Sequence, residues 1–389
     1  MKKKNLFFAC AALIAVSSCT SEINEEGFVD KANSISFNAY SNKSRANDLG
    51  DITTSNMKGD NFGVAGYTRS SIYLYKLDNT VNKAVEQKWV EGTQTWEYAD
   101  LSDLRFWPNA NMDFYAYYPF SDAATFTANN TNGTVMTIPS VDCTHDVLFA
   151  YAGNQSKKDR VPLTFHHAFA KMMTLKITMP NGGNLSESGC HITVQNVEFI
   201  NTSTKGNINV DYQGIASYIV TGDDKTLANE VSPVVTVNKT TNSGTLIDNG
   251  TSAEGYFFAT NSTTAVNKVI GTGKNMWDGV KTSIGGGTLS NSNLVCLKLT
   301  CKVWNGTAAK RYDYVGDENT YGEIYIPLKG TDTNSNTVST FDAGKRYNYT
   351  IEMKNNVGYD DNGDPILTPI LFEVHEVVNW ETVNVTITL

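Results

Sequence analysis

Short runs in which apolar and polar residues alternate recur along most of this 389-residue chain, separated by Asn, Gly, Thr, Ser and Asp. A spacing of two puts one set of side chains on one face of an extended strand, so the pattern predicts half-buried β-strands; no long segment carries helical spacing. Ile35, Phe37 and Ala39 alternate with Ser36, Asn38 and Tyr40, which predicts a strand over 34–40, followed by a polar loop, 41–48, whose only arginine is Arg45. Further strands are expected at 62–67, 71–77, 88–90, 95–98 and 104–107. Turn residues at 108–111 are expected to join the last of these, as a hairpin, to MDFYAYYP, where Met112, Phe114, Ala116 and Tyr118 share a face. In the second half ITVQNVEFI, the turn at 205–207 and INVDY read as another hairpin. Later strands are SPVVTV, GYFFAT, NLVCLKLTCKVW, EIYIPL, KRYNYTIEM, ILFEVHEV and VNVTITL, and 274–292, with Gly285, Gly286 and Gly287, reads as a long flexible loop. Many short strands between polar turns indicate an all-β fold of sandwiches or barrels.

The length exceeds one ordinary core and suggests two domains. A polar segment, 153–160, precedes a fresh apolar start at VPLTFHHAF, so the boundary is placed between 156 and 157, giving domains over 46–156 and 157–389.

A formal charge of -9 and a pI near 5.1 argue against a nucleic-acid partner, which needs a basic patch; the short run Lys157, Lys158, Asp159, Arg160 is interrupted by an acid and reads as a solvated linker. The first residues change the picture more. Lys2, Lys3 and Lys4 precede an apolar segment, 6–16, that is too short to span a bilayer, the pattern of an export signal. It ends in Val16, Ser17, Ser18 and Cys19, which resembles the lipobox of bacterial lipoproteins; the resemblance implies removal of 1–18 and acylation of Cys19. The remaining Cys143, Cys190, Cys296 and Cys301 are too few for a disulfide scaffold. In VCLKLTCKV, Cys301 shares the apolar face with Val295, Leu297, Leu299 and Val303, and Cys296 points the other way.

No serine elbow, phosphate loop, dinucleotide-binding glycine pattern or zinc-binding helix motif is present, and no enzymatic activity, cofactor or metal site is expected. His166 and His167 are adjacent, so a strand turns them to opposite faces, while His145, His191 and His375 have no partner at ligand spacing. YDDNGDP, 359–365, could offer calcium its carboxylates but lacks the spaced EF-hand pattern, and a hairpin loop explains it with fewer assumptions. Trp89, Trp96, Trp107, Tyr115 and Tyr117 could stack on sugars, although aromatic strand residues more often serve packing.

LRFWPNANMDFYAYYPF, then VPLTFHHAFAKMMTLKIT, then FDAGKRYNYTIEM and Trp380 near the end, resembles, in that order, the fimbrillin family of Bacteroidales type V pilins. The resemblance implies two tandem transthyretin-like β-sandwich domains after a lipoprotein signal peptide, in a non-enzymatic stalk or tip subunit of a surface fimbria that supports adhesion. It implies export as an outer-membrane lipoprotein carried on Cys19 and a propeptide, 19–45, that contains the first strand. A trypsin-like or arginine-specific protease would cut between Arg45 and Ala46, opening an apolar groove for a strand from the C-terminal end of another subunit. The implied partners are other fimbrial subunits, in a homo- or hetero-polymer, that protease, the membrane before processing, and a host or bacterial surface ligand.

The residues allow that exchange on physical grounds. VNVTITL places Val383, Val385, Ile387 and Leu389 on one face, and seven residues span about 23 Å, the same as 34–40. Burying four such side chains contributes on the order of 6–12 kcal/mol before ordering costs. VNVTITL also reads equally well as the last strand of its own domain. An alternative function sharing the export signal and the β-sandwiches is a surface glycan-binding lipoprotein that keeps its anchor.

Overall fold

The computed structural model describes residues 34–41, 52–68, 71–78, 80–128, 133–220, 227–249, 255–260, 269–307, 310–366, 371–377 and 381–388. Cys19, Arg45, Ala46 and Leu389 lie outside them, as does the segment 1–18 read from the sequence as an export signal. Among the described residues the fold is all-β, with Asn184–Ser188 the only α-helix.

The first sheet runs in the order Phe37–Ser41, Val161–His167, Leu148–Gln155, Met112–Tyr118, Phe62–Thr68, Val85–Val90, Thr95–Tyr98. Its two ends approach within 8 Å between Cα atoms, so the sheet curls toward closure. Its central strands, Phe62–Thr68 and Met112–Tyr118, are buried on both sides. Phe62, Val64, Phe114, Ala116, Leu148, Leu163 and Phe165 fill the inside of the curl. Tyr67, Tyr115, Tyr117 and Phe149 face outward into a second core. This double burial explains the nearly unbroken apolar run MDFYAYY. It also requires Gly63, where an added Cβ would come within 2.5–2.8 Å of the Tyr117 ring and Ala84.

The second sheet covers that outer face: Val269–Ile270, Ala216–Val220, Gly206–Asp211, Thr134–Val141, Thr125–Phe126, Val81–Lys83, Lys76–Asp78. Met136, Ile138, Ile208 and Val210 supply its side of the core. The remaining two large sheets form a sandwich. One orders Ser243–Asp248, Phe169–Thr178, Lys345–Glu352, Glu381–Thr388, Leu371–Val377; the other Leu227–Val237, Cys190–Ile200, Leu294–Thr307, Asn275–Met276. Leu175, Ile177, Tyr349, Ile351 and Val385 meet Ile192, Val194, Leu297, Leu299 and Cys301 between them. The Tyr349 hydroxyl donates to the Leu328 carbonyl at 3.2 Å inside this core. Tyr349→Phe leaves that carbonyl unsatisfied and is expected to lower stability by about 1–3 kcal/mol, read from urea midpoints at unchanged slope.

Several expectations are revised. The polar segment 153–160 lies at the turn between two paired strands, Leu148–Gln155 and Val161–His167, and the chain changes sheet only at Ala168. Gly206–Asp211 and Ala216–Val220 return to pair beside Thr134–Val141. The two-way split at 156/157 therefore does not follow the strand pairing; the segment is polar because it turns. Met112–Tyr118 pairs with Phe62–Thr68 and Leu148–Gln155, not with 104–107. Cys190–Ile200 and Gly206–Asp211 belong to different sheets and form no hairpin.

The 274–292 segment is packed as well. Trp277 is fully buried, its Nε1 donates to the Val280 carbonyl at 3.2 Å, and Leu289 N donates to the Asp361 carbonyl at 2.8 Å. Cys296 is as buried as Cys301, since this end of the strand lies beneath the loop carrying Asp361.

Candidate functional site

The first strand, Phe37–Ser41, occupies the end of its sheet and pairs on one side only, parallel to Val161–His167, with Phe37 opposite Val161 and Ser41 opposite Phe165. Alternation decides what it buries. Ile35 and Phe37 are fully buried, Ala39 and Ser41 nearly so, and Tyr40 between them is 46 % exposed. The Phe37 ring meets Phe114 at 5.4 Å and Phe62 at 6.3 Å, both edge-on. Phe114 and Phe62 stand on two neighbouring strands three and four places along the sheet, so this side chain joins the first strand to the middle of the sheet across the curl. Burial of such a ring stabilises by about 1.5–3 kcal/mol, and each edge-on pair adds about 0.5–1.5.

Polar contacts fix both ends. Ile35 N donates to the Arg105 carbonyl and Val161 N to the Ser36 carbonyl, each at 2.8 Å; the Ser36 hydroxyl donates to the Asp159 carbonyl. At the other end Ser41 N donates to Thr54 Oγ1 at 3.0 Å, and the two hydroxyls lie 3.2 Å apart. Arg45 and Ala46, outside the described residues, fall in the segment between Ser41 and Ile52, two points that the Ser41–Thr54 contacts hold close. Neither Thr54 nor Arg105 is predicted from the sequence; DITTS carries no periodicity, and only its position after the Arg45 loop marks it.

The strand ending in VNVTITL is found inside its own sheet. Glu381–Thr388 runs parallel to Lys345–Glu352, with Tyr349 opposite Val385 and Ile351 opposite Ile387, and antiparallel to Leu371–Val377. Val385 is fully buried, and Val383 and Ile387 occupy alternate positions on either side of it. The structure thus brings these residues together with Tyr347 and Tyr349 and not with the first strand.

Other candidates resolve into structural roles. Asp360 accepts from Asn362 N and Asp364 N at 2.9 Å, Asp361 accepts from Ser290 N and Oγ, and Asp364 pairs with Lys281 at 2.5 Å. These carboxylates shape and anchor the 359–365 turn, and among the described residues no group of His, Cys, Asp and Glu is placed to hold a metal ion. Of the aromatic row, Trp96, Tyr115 and Tyr117 are buried, the half-buried Trp107 packs edge-on against Phe114 at 5.8 Å, and the half-buried Trp89 has Lys58 over its ring at 4.0 Å, so no exposed sugar platform forms from them. His167 is buried with Nδ1 2.6 Å from Asp146 Oδ2. Burial pushes the Cys190 thiol up to about 12 and those of Cys143, Cys296 and Cys301 well above their usual range, so these four are held as thiols.

Comparison with known proteins bears on what this arrangement does. The model of the fimbrillin-like family matches residues 44–274, more than half of the chain. Among solved structures, a fimbrial protein from Bacteroides vulgatus is 13 % identical, with 91 % of this chain and 97 % of that one aligned at a TM-score of 0.41. A fimbrilin from Porphyromonas gingivalis is 10 % identical, with 92 % and 97 % aligned at 0.34. No curated protein gives a significant sequence match.

Proposed function

This chain belongs to the fimbrillin-like family, and from that premise we propose that it is a fimbrial subunit whose first strand is a placeholder. In this reading the chain reaches the outer membrane as a lipoprotein acylated at Cys19. A trypsin-like or arginine-specific protease cuts between Arg45 and Ala46, and the strand over 34–41 then yields its place to a strand of another subunit. The mature subunit lies at the cell surface in a fimbria that supports adhesion.

One observation carries the reading. The only strand that precedes Arg45 among the described residues is an edge strand that closes a curled sheet with an apolar face. An edge strand can leave without breaking any other strand pair, and its departure exposes a row of pockets plus one line of unpaired backbone groups. Strand addition uses both, main-chain hydrogen bonds for affinity and alternate side chains for specificity. Amino-terminal sequencing of protein sheared from cells bearing the intact gene is expected to start at Ala46. Recovery of acylated Cys19 alone in the polymer overturns the proposal.

A further inference from the structure

We propose that the groove holding the first strand selects its occupant by side-chain size and by a hydroxyl, and that it takes a strand from a different protein and not from a second copy of this chain; this rests on the strand-exchange reading above. Four inward positions set the selection. The first two, Ile35 and Phe37, are fully buried, and the ring of Phe37 is received edge-on by Phe62 and Phe114, so the second position takes an aromatic. At the third, Ala39 is only 7 % exposed although it has a single methyl to bury. The wall therefore stands within reach of that methyl, and extra methylenes must displace close-packed neighbours. At the fourth, Ser41 is 5 % exposed and faces Thr54, whose Oγ1 lies 3.0 Å from Ser41 N, 3.2 Å from Ser41 Oγ and 3.3 Å from Ser41 O. An apolar residue there removes a partner from a part-buried hydroxyl.

The parallel register with Val161–His167 gives the strand a direction. From amino to carboxyl end the groove thus reads large apolar, aromatic, small, small hydroxyl, at every second residue. In this sequence an aromatic residue followed two positions on by Ala, Gly or Ser, and four positions on by Ser or Thr, occurs once, at Phe37. The last strand departs from the rule at three of four positions: Val383, Val385, Ile387 and Leu389 offer no aromatic, no small residue and no hydroxyl. Its other face, Thr382, Asn384, Thr386 and Thr388, would put an amide and three hydroxyls against an apolar wall. Withdrawing it would also separate Lys345–Glu352 from Leu371–Val377, since it lies between them.

Labelled peptides exchanged into the full chain, nicked after Arg45 by limited trypsin treatment, test this by fluorescence anisotropy. The probes are SISFNAYS, the same peptide with Ala39→Ile, the same with Ser41→Val, and TVNVTITL. SISFNAYS is expected to exchange, with the Ala39→Ile peptide and TVNVTITL at least about tenfold weaker. The Ser41→Val peptide is expected to bind more weakly than SISFNAYS on the native chain and equally on a Thr54→Val chain. TVNVTITL binding as tightly as SISFNAYS, or the Ala39→Ile peptide doing so, overturns the selection rule while strand exchange stands. Failure of SISFNAYS itself to exchange overturns strand exchange, and the rule with it.

Discussion

Phe37→Ala is expected to lower the stability of the uncleaved chain by about 3–5 kcal/mol, the range for removing a fully buried ring from a core that cannot collapse. Collapse is hindered here because the ring reaches across the curl: Phe114 and Phe62, on two neighbouring strands, lose their edge-on partner together. Phe62 in turn contacts Trp96 at 4.9 Å and Phe165 at 5.5 Å, so the cavity opens into an aromatic cluster whose members are held by their own strands. Tyr40→Ala, on the outward side of the same strand and half exposed, is expected to shift stability by no more than about 0.5 kcal/mol. Urea unfolding of both variants in the unprocessed chain gives the comparison, and equal losses would mean that the strand does not close the core. A second readout separates packing from placeholding. After cleavage at Arg45, the Phe37→Ala strand is expected to exchange faster than the native one, since most of its hold resides in that ring.

Much of this was legible from alternation. Phe37 and Ala39 share one face of a strand, and KRYNYTIEM and VNVTITL alternate as strands do, because a period of two is imposed by backbone geometry whatever the partner. What a strand pairs with is decided elsewhere. The first strand lies beside Val161–His167, more than 120 residues away, in a parallel register that no turn signals. The short polar link between ITVQNVEFI and INVDY predicts a hairpin, yet Ile208 and Val210 are buried against the aromatic outer face of the first sheet. A turn-rich link permits a hairpin without requiring one. Trp277 shows the opposite error: a glycine-rich composition suggested a loose loop, while one large side chain, fully buried, pins it. At the site itself Ile35, Phe37 and Ala39 could be read, but Thr54 could not, for a lone threonine in a polar stretch has no pattern. The groove's specificity lives largely in such residues.

Arg45→Ala is expected to abolish fibre formation while leaving a folded, lipidated subunit on the cell, detected as loss of sheared polymer with undiminished membrane-associated protein. The magnitude follows from the tether. While residues 42–51 join the first strand to the rest of the chain, any incoming strand competes against one held at an effective concentration on the order of millimolar or above. Cutting that segment changes no contact within the groove; Phe37 still packs and Ser41 still meets Thr54. It makes departure of the strand irreversible on dilution, because the released piece diffuses away. A subunit that is stable before the cut and open to exchange after it needs only a scissile residue in the link, and Arg45 is the only arginine there. On a Lys43→Ala background, which leaves residue 45 as the one basic position in 42–51, Arg45→Lys separates the two protease classes: a trypsin-like enzyme still cuts and fibres persist at reduced yield, whereas an arginine-specific enzyme leaves the same unpolymerised subunit as Arg45→Ala. Fibres of normal length from Arg45→Ala cells would place the release of the first strand somewhere other than this link.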